Sequence, residues 1–472
     1  MSRPSRLVVF AFCALLSCSC SKGASKAGIS VKAAASQVRS APDPCPRSSP
    51  DGSIAWILDD YAAALSCAKA RKVPLVLDLW APWCHTCLSM QSTVFVDKTF
   101  ASNATQFVFA SLDVDRESNA TALDRFAFSA LPTFYVIGPN EEVLARFVGG
   151  TSLPVFNTFL QTGARAFTGA VNSGADAHLL AAERALAERD LDRANSQLEM
   201  AVTQAPAQWA RLNDALVSWI GVALKREDFD GCLKIAEGHA EDAGTTASVS
   251  DFLSSATQCA DSYVQKKPSA VARVKNLRER LVQRWQQLLK DPAASLSVDD
   301  RSDAMATLRE TLIALERPEQ AKEIAEQQRA LLDEAANKAK TPMAAMTYNW
   351  PRAEVYVYLE RPLDLVPALE KSAHELPGEY DPPARLGWVL LKAGKFEEAA
   401  TWTDKALALS YGPRKARLLS QRAEIANKLN DFPVEHSLRE QVVQLLESLP
   451  ANQTSPQALA AAKKALAAAV QK

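Results

Sequence analysis

The sequence lacks an apolar run of about 20 residues, the length that a helix needs to cross a bilayer, although 48% of its 472 residues are hydrophobic. It also lacks an excess of charge of either sign, since 53 Lys and Arg oppose 54 Asp and Glu for a formal net charge of −1. We therefore expect neither a membrane-spanning helix nor a basic field that would attract nucleic acid. A chain of this length is too long for one core and should contain about two to four domains.

The N-terminus has the features of an export signal. Arg3 and Arg6 precede an apolar run at 7–16, which has the length of a signal-peptide core. The sequence that follows, Leu15-Leu16-Ser17-Cys18, resembles the lipobox of bacterial lipoproteins, in which the cysteine is lipidated. Cys20 is a second candidate, and ordinary secretion with cleavage nearby is the alternative. We expect lipidation at Cys18 and a mature protein anchored in the bacterial cell envelope, facing the periplasm.

Cysteine usage suits an oxidising compartment. Of nine cysteines, six remain once Cys13, Cys18 and Cys20 are set aside, and an even number permits three pairs. Two of these pairings are open possibilities: Cys45 with Cys67, near the start of the folded part, and Cys232 with Cys259, between two helices. Free buried cysteines are the alternative for both pairs.

The stretch Val73–Cys87 contains the main candidate functional residues and reads VPLVLDLWAPWCHTC. Its apolar run predicts a buried strand that delivers Cys84 and Cys87 to the start of a helix. Amide groups at a helix N-terminus stabilise a thiolate, so Cys84 is expected to have a pKa moved from about 8.5 toward 7 or lower and to be the nucleophile. Cys87, one turn later, is then the resolving thiol.

A Cys-x-x-Cys motif can also be half of a zinc site or a plain structural bridge. The five histidines are scattered and no second Cys-x-x-Cys occurs, so no metal site is expected. No cofactor is expected either.

Helix and strand patterns alternate around this stretch and predict a mixed sheet with helices on both faces. Predicted helices are 54–71, 88–100, 120–128 and 153–166, and predicted strands are 73–80, 107–114, 134–137 and 143–148. Beyond about Gly174 the pattern is helical only. Two stretches there have the spacing of a tetratricopeptide unit: Ala194, Ala201 and Pro206, then Leu386-Gly387, Ala399 and Ala406. A last helix is expected from about Ser455 to Val470.

These elements resemble the thioredoxin fold in content and order across about residues 53–168: a strand carrying Asp78, then WCHTC, then Leu131-Pro132-Thr133, then a hairpin closed by glycines. The flanking sequences AAALSCAKARKVPLVLDLWAPWC and STVFVDKTF resemble the C-terminal periplasmic domain of membrane-embedded thiol:disulfide interchange reductases. The resulting prediction is a lipoprotein signal peptide (1–18), a disordered tether (19–52), an α/β thioredoxin-like domain (53–168) and an all-α tetratricopeptide-like solenoid (175–472).

The resemblance implies roles for individual residues. Asp78 would be the buried acid that exchanges a proton with Cys87, and Pro132 a cis-proline facing the dithiol. The position where thioredoxin has a lysine near this acid is Ser111 here, so Asp78 is expected to hold its proton more tightly without that cation. Residues expected to contact substrate are Trp83, Leu131 and Thr133.

The two residues between the cysteines, His85 and Thr86, replace the Gly-Pro of thioredoxin and are the candidates for redox tuning. A protonated His85 beside the Cys84 thiolate would stabilise the reduced form and make the domain a better oxidant. Simple solvent exposure of His85 is the alternative.

Two functions are consistent with these features. The first is a lipid-tethered thiol:disulfide oxidoreductase, a protein-disulfide reductase by preference, whose helical region binds clients or partners. Its expected partners are disulfide-bearing exported proteins, an upstream thiol donor such as a membrane thiol:disulfide interchange protein, and the membrane through the lipid, but not nucleic acid. The second is an interaction scaffold whose thioredoxin-like domain is a redox sensor or merely structural.

Overall fold

The computed structural model describes residues 45, 47–49, 52–171, 174–241 and 243–469. The predicted signal peptide, the predicted lipidation site Cys18 and most of the predicted tether lie outside these residues. The described residues from Cys45 onward belong to one compact unit. Among the described helices, none combines the length and apolar character needed to cross a membrane.

A five-stranded mixed sheet forms the first part of the unit. Its strands are β1 Trp56–Leu58, β2 Leu75–Trp80, β3 Val108–Asp113, β4 Thr133–Ile137 and β5 Val143–Val148, in the order β1-β3-β2-β4-β5. The β1, β3 and β2 strands are parallel, β4 runs antiparallel to β2, and β5 runs antiparallel to β4. The predicted mixed sheet is confirmed, and β2, which carries the dithiol at its end, is the central strand.

Both faces of this sheet are buried, as a continuous apolar central strand requires. Leu77 and Leu79 pack in one core cluster with Cys84 and Cys87, while Val76 packs in another with the aromatic rings of the opposite face. Four helices cover these faces: α1 Tyr61–Arg71, α2 His85–Thr93, α3 Ala120–Arg125 and α4 Leu153–Phe167.

The predicted helix over 54–71 is wrong in its first part, because residues 56–58 form β1. Parallel pairing of Trp56 with Phe109 on β3 outweighs the helical spacing there. The helix begins after Asp60, whose carboxylate accepts a hydrogen bond from Ala63 N at 2.9 Å. The helix predicted to reach Phe100 ends at Thr93, where the β-branched and aromatic run from Thr93 to Val96 disfavours continuation.

The described chain from Gly174 onward is all helical. Its helices are α5 Gly174–Ala187, α6 Leu191–Thr203, α7 Leu212–Lys225, α8 Phe229–His239, α9 Ala247–Lys266, α10 Val271–Lys290, α11 Val298–Ala314, α12 Pro318–Lys338, α13 Pro342–Met346, α14 Asn349–Tyr358, α15 Val366–Glu375, α16 Asp381–Lys392, α17 Phe396–Leu409, α18 Gly412–Lys428, α19 Phe432–Ser448 and α20 Pro456–Ala469. Ala194, Ala201, Ala399 and Ala406 are fully buried on α6 and α17, each the second helix of a pair, as the repeat spacing predicts. Stacking of such pairs builds a continuous core that no single pair could bury.

Both open cysteine pairings are formed in the structure. Cys45 is bonded to Cys67 on α1, and Cys232 on α8 is bonded to Cys259 on α9. The first bond ties the entry segment to the thioredoxin-like domain, and the second joins two neighbouring helices of the solenoid.

The helical region packs directly on the sheet domain. Arg211 is 2% exposed and donates to Arg146 O on β5 at 3.1 Å, to Glu183 Oε1 at 3.0 Å and to Asp214 Oδ2 at 2.5 Å. Gly412, at the start of α18, lies so close to Asp115 that a Cβ there would overlap the Asp115 carbonyl oxygen. These contacts fix the solenoid against the same domain that holds the dithiol.

We expect Arg211→Ala to lower the free energy of unfolding by about 3 kcal/mol or more, because it leaves Glu183 and Asp214 buried without their cation. Denaturant unfolding of the full chain measures the loss. Arg226→Ala, just after the C-terminal end of α7, is the matched control, since its partner Asp192 is 87% exposed and such pairs contribute about 0–1 kcal/mol. If both variants lost an equal, small amount of unfolding free energy, the ion pairs of Arg211 with Glu183 and Asp214 would not stabilise the fold as proposed.

Candidate active site

The dithiol lies where β2 ends and α2 begins. Cys84 is the N-cap residue of α2, and Cys84 and Cys87 are bonded to each other, so the structure shows the oxidised form. The backbone N–H of Cys87 donates to Cys84 Sγ at 3.1 Å. In the reduced form the same amide would stabilise a thiolate on Cys84. Cys84 is 5% exposed and Cys87 is 2% exposed, so Cys84 is the more accessible of the two.

His85 forms an ion pair with the helical region and is not simply exposed to solvent. Its Nδ1 lies 2.9 Å from Asp299 Oδ1 on α11, and its Nε2 lies 4.0 Å from Asp303 Oδ1. The Asp299 side chain is only 1% exposed. Burial lowers the pKa of His85, but the two carboxylates more than offset this effect and raise its pKa to about 10. His85 is therefore an imidazolium at neutral pH, next to Cys84 in the chain.

Further acids of the helical region face this imidazolium. Burial raises the pKa values of Asp300, Asp303 and Glu354, and the charge on His85 partly offsets the shift for each. The potential ligand atoms of His85, Asp299 and Asp303 lie within 4.8 Å of one another, so these three residues have the donor set for a metal ion. Their ion pairing accounts for the arrangement without one.

Asp78 is buried on β2, directly opposite Ser111 on β3. Ser111 Oγ donates to Asp78 Oδ2 at 3.0 Å, and Asp78 Oδ1 has no hydrogen-bond partner among the described residues. Burial raises the pKa of Asp78 to about 7, although the Ser111 hydrogen bond lowers it in part. Both residues line a cavity of about 860 Å³, together with Trp56 and Phe95. The carboxyl can therefore gain or lose a proton near neutral pH.

The Leu131–Pro132 peptide bond is cis, as the resemblance implies. The carbonyl of Pro132 accepts a hydrogen bond from Gly149 N at 2.9 Å, which ties this loop to the end of β5. Thr133 is fully buried and donates from its hydroxyl to Ala130 O at 2.7 Å, so its side chain lies behind the loop. Leu131 is partly exposed and lines a cavity with Trp83.

Thr86 faces the glycine pair that follows β5. A Cβ at Gly150 would lie 2.8 Å from Thr86 Cγ2, so this close approach requires glycine.

Trp83 is held from both sides of the domain interface. Its indole Nε1 donates to Asp115 Oδ2 at 2.7 Å, and its carbonyl accepts from Arg385 Nη2 on α16 at 3.2 Å. The guanidinium groups of Arg414 and Arg417 on α18 lie 5.6 and 5.9 Å from the centre of its ring.

Sequence reasoning did not identify Asp299, Arg385, Arg414 or Arg417 as residues of this site. Asp299 is separated from His85 by 214 positions, and its local pattern, Ser297 to Asp300, indicates only a helix start with a capping box. No local signal could have placed these residues at the dithiol.

Known proteins match the first part of the chain. The model of the thioredoxin-like family matches residues 56–139. Thioredoxin-1 of Drosophila melanogaster is 32% identical over 93 residues, which cover 20% of this chain and 79% of that protein. Thioredoxin-1 of Drosophila yakuba is 37% identical over 76 residues, which cover 16% of this chain and 65% of that protein.

Among solved structures, the crystal structure of a tetratricopeptide repeat protein from Parabacteroides merdae ATCC 43184 aligns with 63% of this chain and 98% of that chain, at 13% identity and a TM-score of 0.40. In the described residues, the strands of the sheet are followed by a long all-helical region. The matched segment of the sheet domain contains both cysteines, as a thiol oxidoreductase requires. The chain is 32% identical to Thioredoxin-1 of Drosophila melanogaster over 79% of that protein, and the thioredoxin-like family model matches its sheet domain. The chain therefore belongs to the thioredoxin family.

Proposed function

We propose that this protein is a membrane-tethered periplasmic thiol:disulfide oxidoreductase that reduces disulfides of exported client proteins. The observation that carries the proposal is the position of Cys84 at the N-cap of α2, with the Cys87 amide donating to its sulfur. Tethering through a lipid on Cys18 and the periplasmic location rest on the N-terminal sequence alone. The helical region, which packs around the dithiol, would bind clients or partner proteins.

The reaction uses the two thiols in turn. The Cys84 thiolate attacks one sulfur of a client disulfide, forms a mixed disulfide and releases the other client sulfur as a thiolate. Cys87 then loses its proton, attacks Cys84 Sγ and releases the client's second thiolate. Two electrons pass from the dithiol to the client, and the Cys84–Cys87 disulfide remains. An upstream thiol donor, which we propose to be a membrane interchange protein, would reduce this disulfide again.

Asp78 would accept the proton of Cys87 in the second step. Its raised pKa suits this exchange, because a group with a pKa near the working pH can both take and return a proton. The unpartnered Oδ1 and the adjoining cavity leave one oxygen of the carboxyl free for it.

The paired roles of the cysteines predict an asymmetry in trapping. We expect Cys87→Ser to accumulate mixed disulfides between Cys84 and client proteins in the native envelope, because the resolving thiol is gone. Cys84→Ser is the matched control and should trap nothing. Non-reducing electrophoresis followed by mass spectrometry measures both. Equal trapping by the two variants, or by neither, would count against the enzyme.

The role of Asp78 predicts a pH profile for the second step. The rate of mixed-disulfide resolution in the wild-type chain should rise with pH, with a midpoint near 7, as Asp78 ionises and becomes a base. Asp78→Asn should lower that rate by about 100-fold and remove the midpoint.

Ser111→Ala serves as the control for this experiment. It removes the hydrogen bond that lowers the Asp78 pKa and should move the midpoint to higher pH. Stopped-flow mixing with a disulfide peptide measures the resolution rate across the pH range. An unchanged profile in Asp78→Asn would refute this role.

We also propose that the ion pair of His85 with Asp299 adjusts the redox potential. An imidazolium beside Cys84 stabilises the thiolate and hence the reduced dithiol. Asp299→Asn should lower the pKa of His85 but leave it protonated at neutral pH, and should shift the potential of the dithiol by about 30 mV toward the oxidising side, because it removes a carboxylate that offsets the imidazolium charge.

Equilibration with glutathione measures that potential, and NMR titration follows His85. Asp303→Asn is the matched control and should have a smaller effect, because Asp303 is 4.0 Å away and 45% exposed. Identical potentials for the wild-type chain and Asp299→Asn would rule out the tuning role.

The second candidate function is an interaction scaffold with a redox-sensing domain. One observation favours it: Asp299 and Arg385 of the helical region contact the dithiol loop directly, so a change in the dithiol could be passed to the solenoid. Catalytic turnover of client disulfides supports the enzyme, whereas a single stoichiometric oxidation without turnover supports the sensor.

A further inference from the structure

A cavity of about 620 Å³ lies between the substrate-facing side of the thioredoxin-like domain and the last three helices. Trp83, Asp115 and the segment from Phe128 to Leu131 form one wall, and α18, α19 and α20 form the other. The first wall contains the residue before Cys84 and the residue before the cis-proline. A client segment bound beside Trp83 and Leu131 would therefore lie along this wall and face the helices opposite.

Several polar atoms of the cavity-lining residues are buried without a hydrogen-bond partner in the described part of the chain. They are Arg414 Nε, Asn452 Oδ1, Gln453 Oε1 and Thr454 Oγ1. The amide groups of Asn452 and Gln453 are anchored by donation to Ala120 O at 2.6 Å and Val114 O at 2.8 Å, which fixes their oxygens in place. A buried polar atom without a partner costs about 1–3 kcal/mol, and an extended peptide backbone could supply the missing partners.

The charges along the cavity favour a negative ligand. Arg414 and Arg417 stack on Trp83 and form no ion pair within 4.0 Å among the described residues, whereas Arg439 is paired with Glu435. Burial, followed by repulsion from Arg385, lowers the pKa of Arg414 to about 10, and the charge of Asp381 offsets this shift in part. The acidic side chain in the described lining is Asp115, which already accepts from the Trp83 indole.

We propose that this cavity binds the client segment next to the disulfide as an extended strand, and that Arg414 and Arg417 select segments carrying Asp or Glu. The unpartnered oxygens of Asn452 and Gln453 accept from the backbone of this strand, and the two guanidinium groups pair with its carboxylate. Apolar side chains of α19, Val442 and Leu446 among them, and of α20 cover the rest of the strand. This inference rests on the proposed reductase function and names the chemistry of its substrates.

The test compares three disulfide-linked peptides that differ only at the residue flanking one cysteine, which is Glu, Gln or Lys. The reduced full chain is mixed with an excess of each peptide, and the second-order rate constant of the single reduction is measured. The Glu peptide should be reduced about tenfold faster than the Lys peptide, with the Gln peptide between them, because a charge-assisted pair forms only with Glu. The double variant Arg414→Gln with Arg417→Gln should reduce the preference for the Glu peptide over the Lys peptide to less than about twofold.

If the double variant Arg414→Gln with Arg417→Gln folds poorly, reversing both charges still tests the inference. Arg414→Glu with Arg417→Glu should invert the order and favour the Lys peptide, an outcome that a misfolded chain cannot produce. Arg422→Gln is the matched control on the same helix, because Arg422 pairs with Asp404 and lies outside the cavity lining; it should keep the wild-type preference. Equal rates for all three peptides in the wild-type chain would overturn the inference alone, whereas no reduction of any peptide would overturn the proposed function as well.

Discussion

The ion pair between His85 and Asp299 joins the dithiol loop to a helix 214 positions away, and much of the structure depends on it. It places a positive charge beside Cys84 and neutralises that charge with carboxylates from another part of the chain. Because Asp299 is almost fully buried, the pair exists only while the solenoid packs on the sheet domain. The helical region is therefore part of the active site's electrostatic environment, and the dithiol has different surroundings from those that the sheet domain alone would provide.

Charge is distributed unequally around the dithiol. Carboxylates of α11, Asp299 and Asp303, lie on the side of His85, whereas the guanidinium groups of Arg414 and Arg417 lie on the side of Trp83. We propose that the first group adjusts the reactivity of Cys84 through its neighbour. The second group lines the cavity in which we propose that a client segment binds. In this proposal the solenoid would contribute to reactivity and to substrate selection through different helices, so each contribution could be altered separately.

Local patterns were enough to predict the mixed sheet and the helix that begins at the dithiol, and the resemblance to the thioredoxin fold implied the cis-proline loop. Each depends on short-range signals: the apolar run of β2, Leu131-Pro132-Thr133, and two cysteines one turn apart. The short strand β1 was mistaken for helix because its pairing with β3, which is distant in sequence, decides its conformation. The ion pair of His85 could not be predicted either, because its partner Asp299 is 214 positions away. The sequence His85-Thr86 is compatible with both solvent exposure and ion pairing. The cavity with its arginines likewise results from packing between distant segments.

We propose that the start of α2 and the charged His85 hold the reduced Cys84 as a reactive thiolate. The pH dependence of Cys84 alkylation tests this in the full chain carrying Cys87→Ser, where the remaining described cysteines are in disulfides. We expect a midpoint below neutral pH. A midpoint at about 8.5, the usual value for a free cysteine, would contradict a stabilised thiolate.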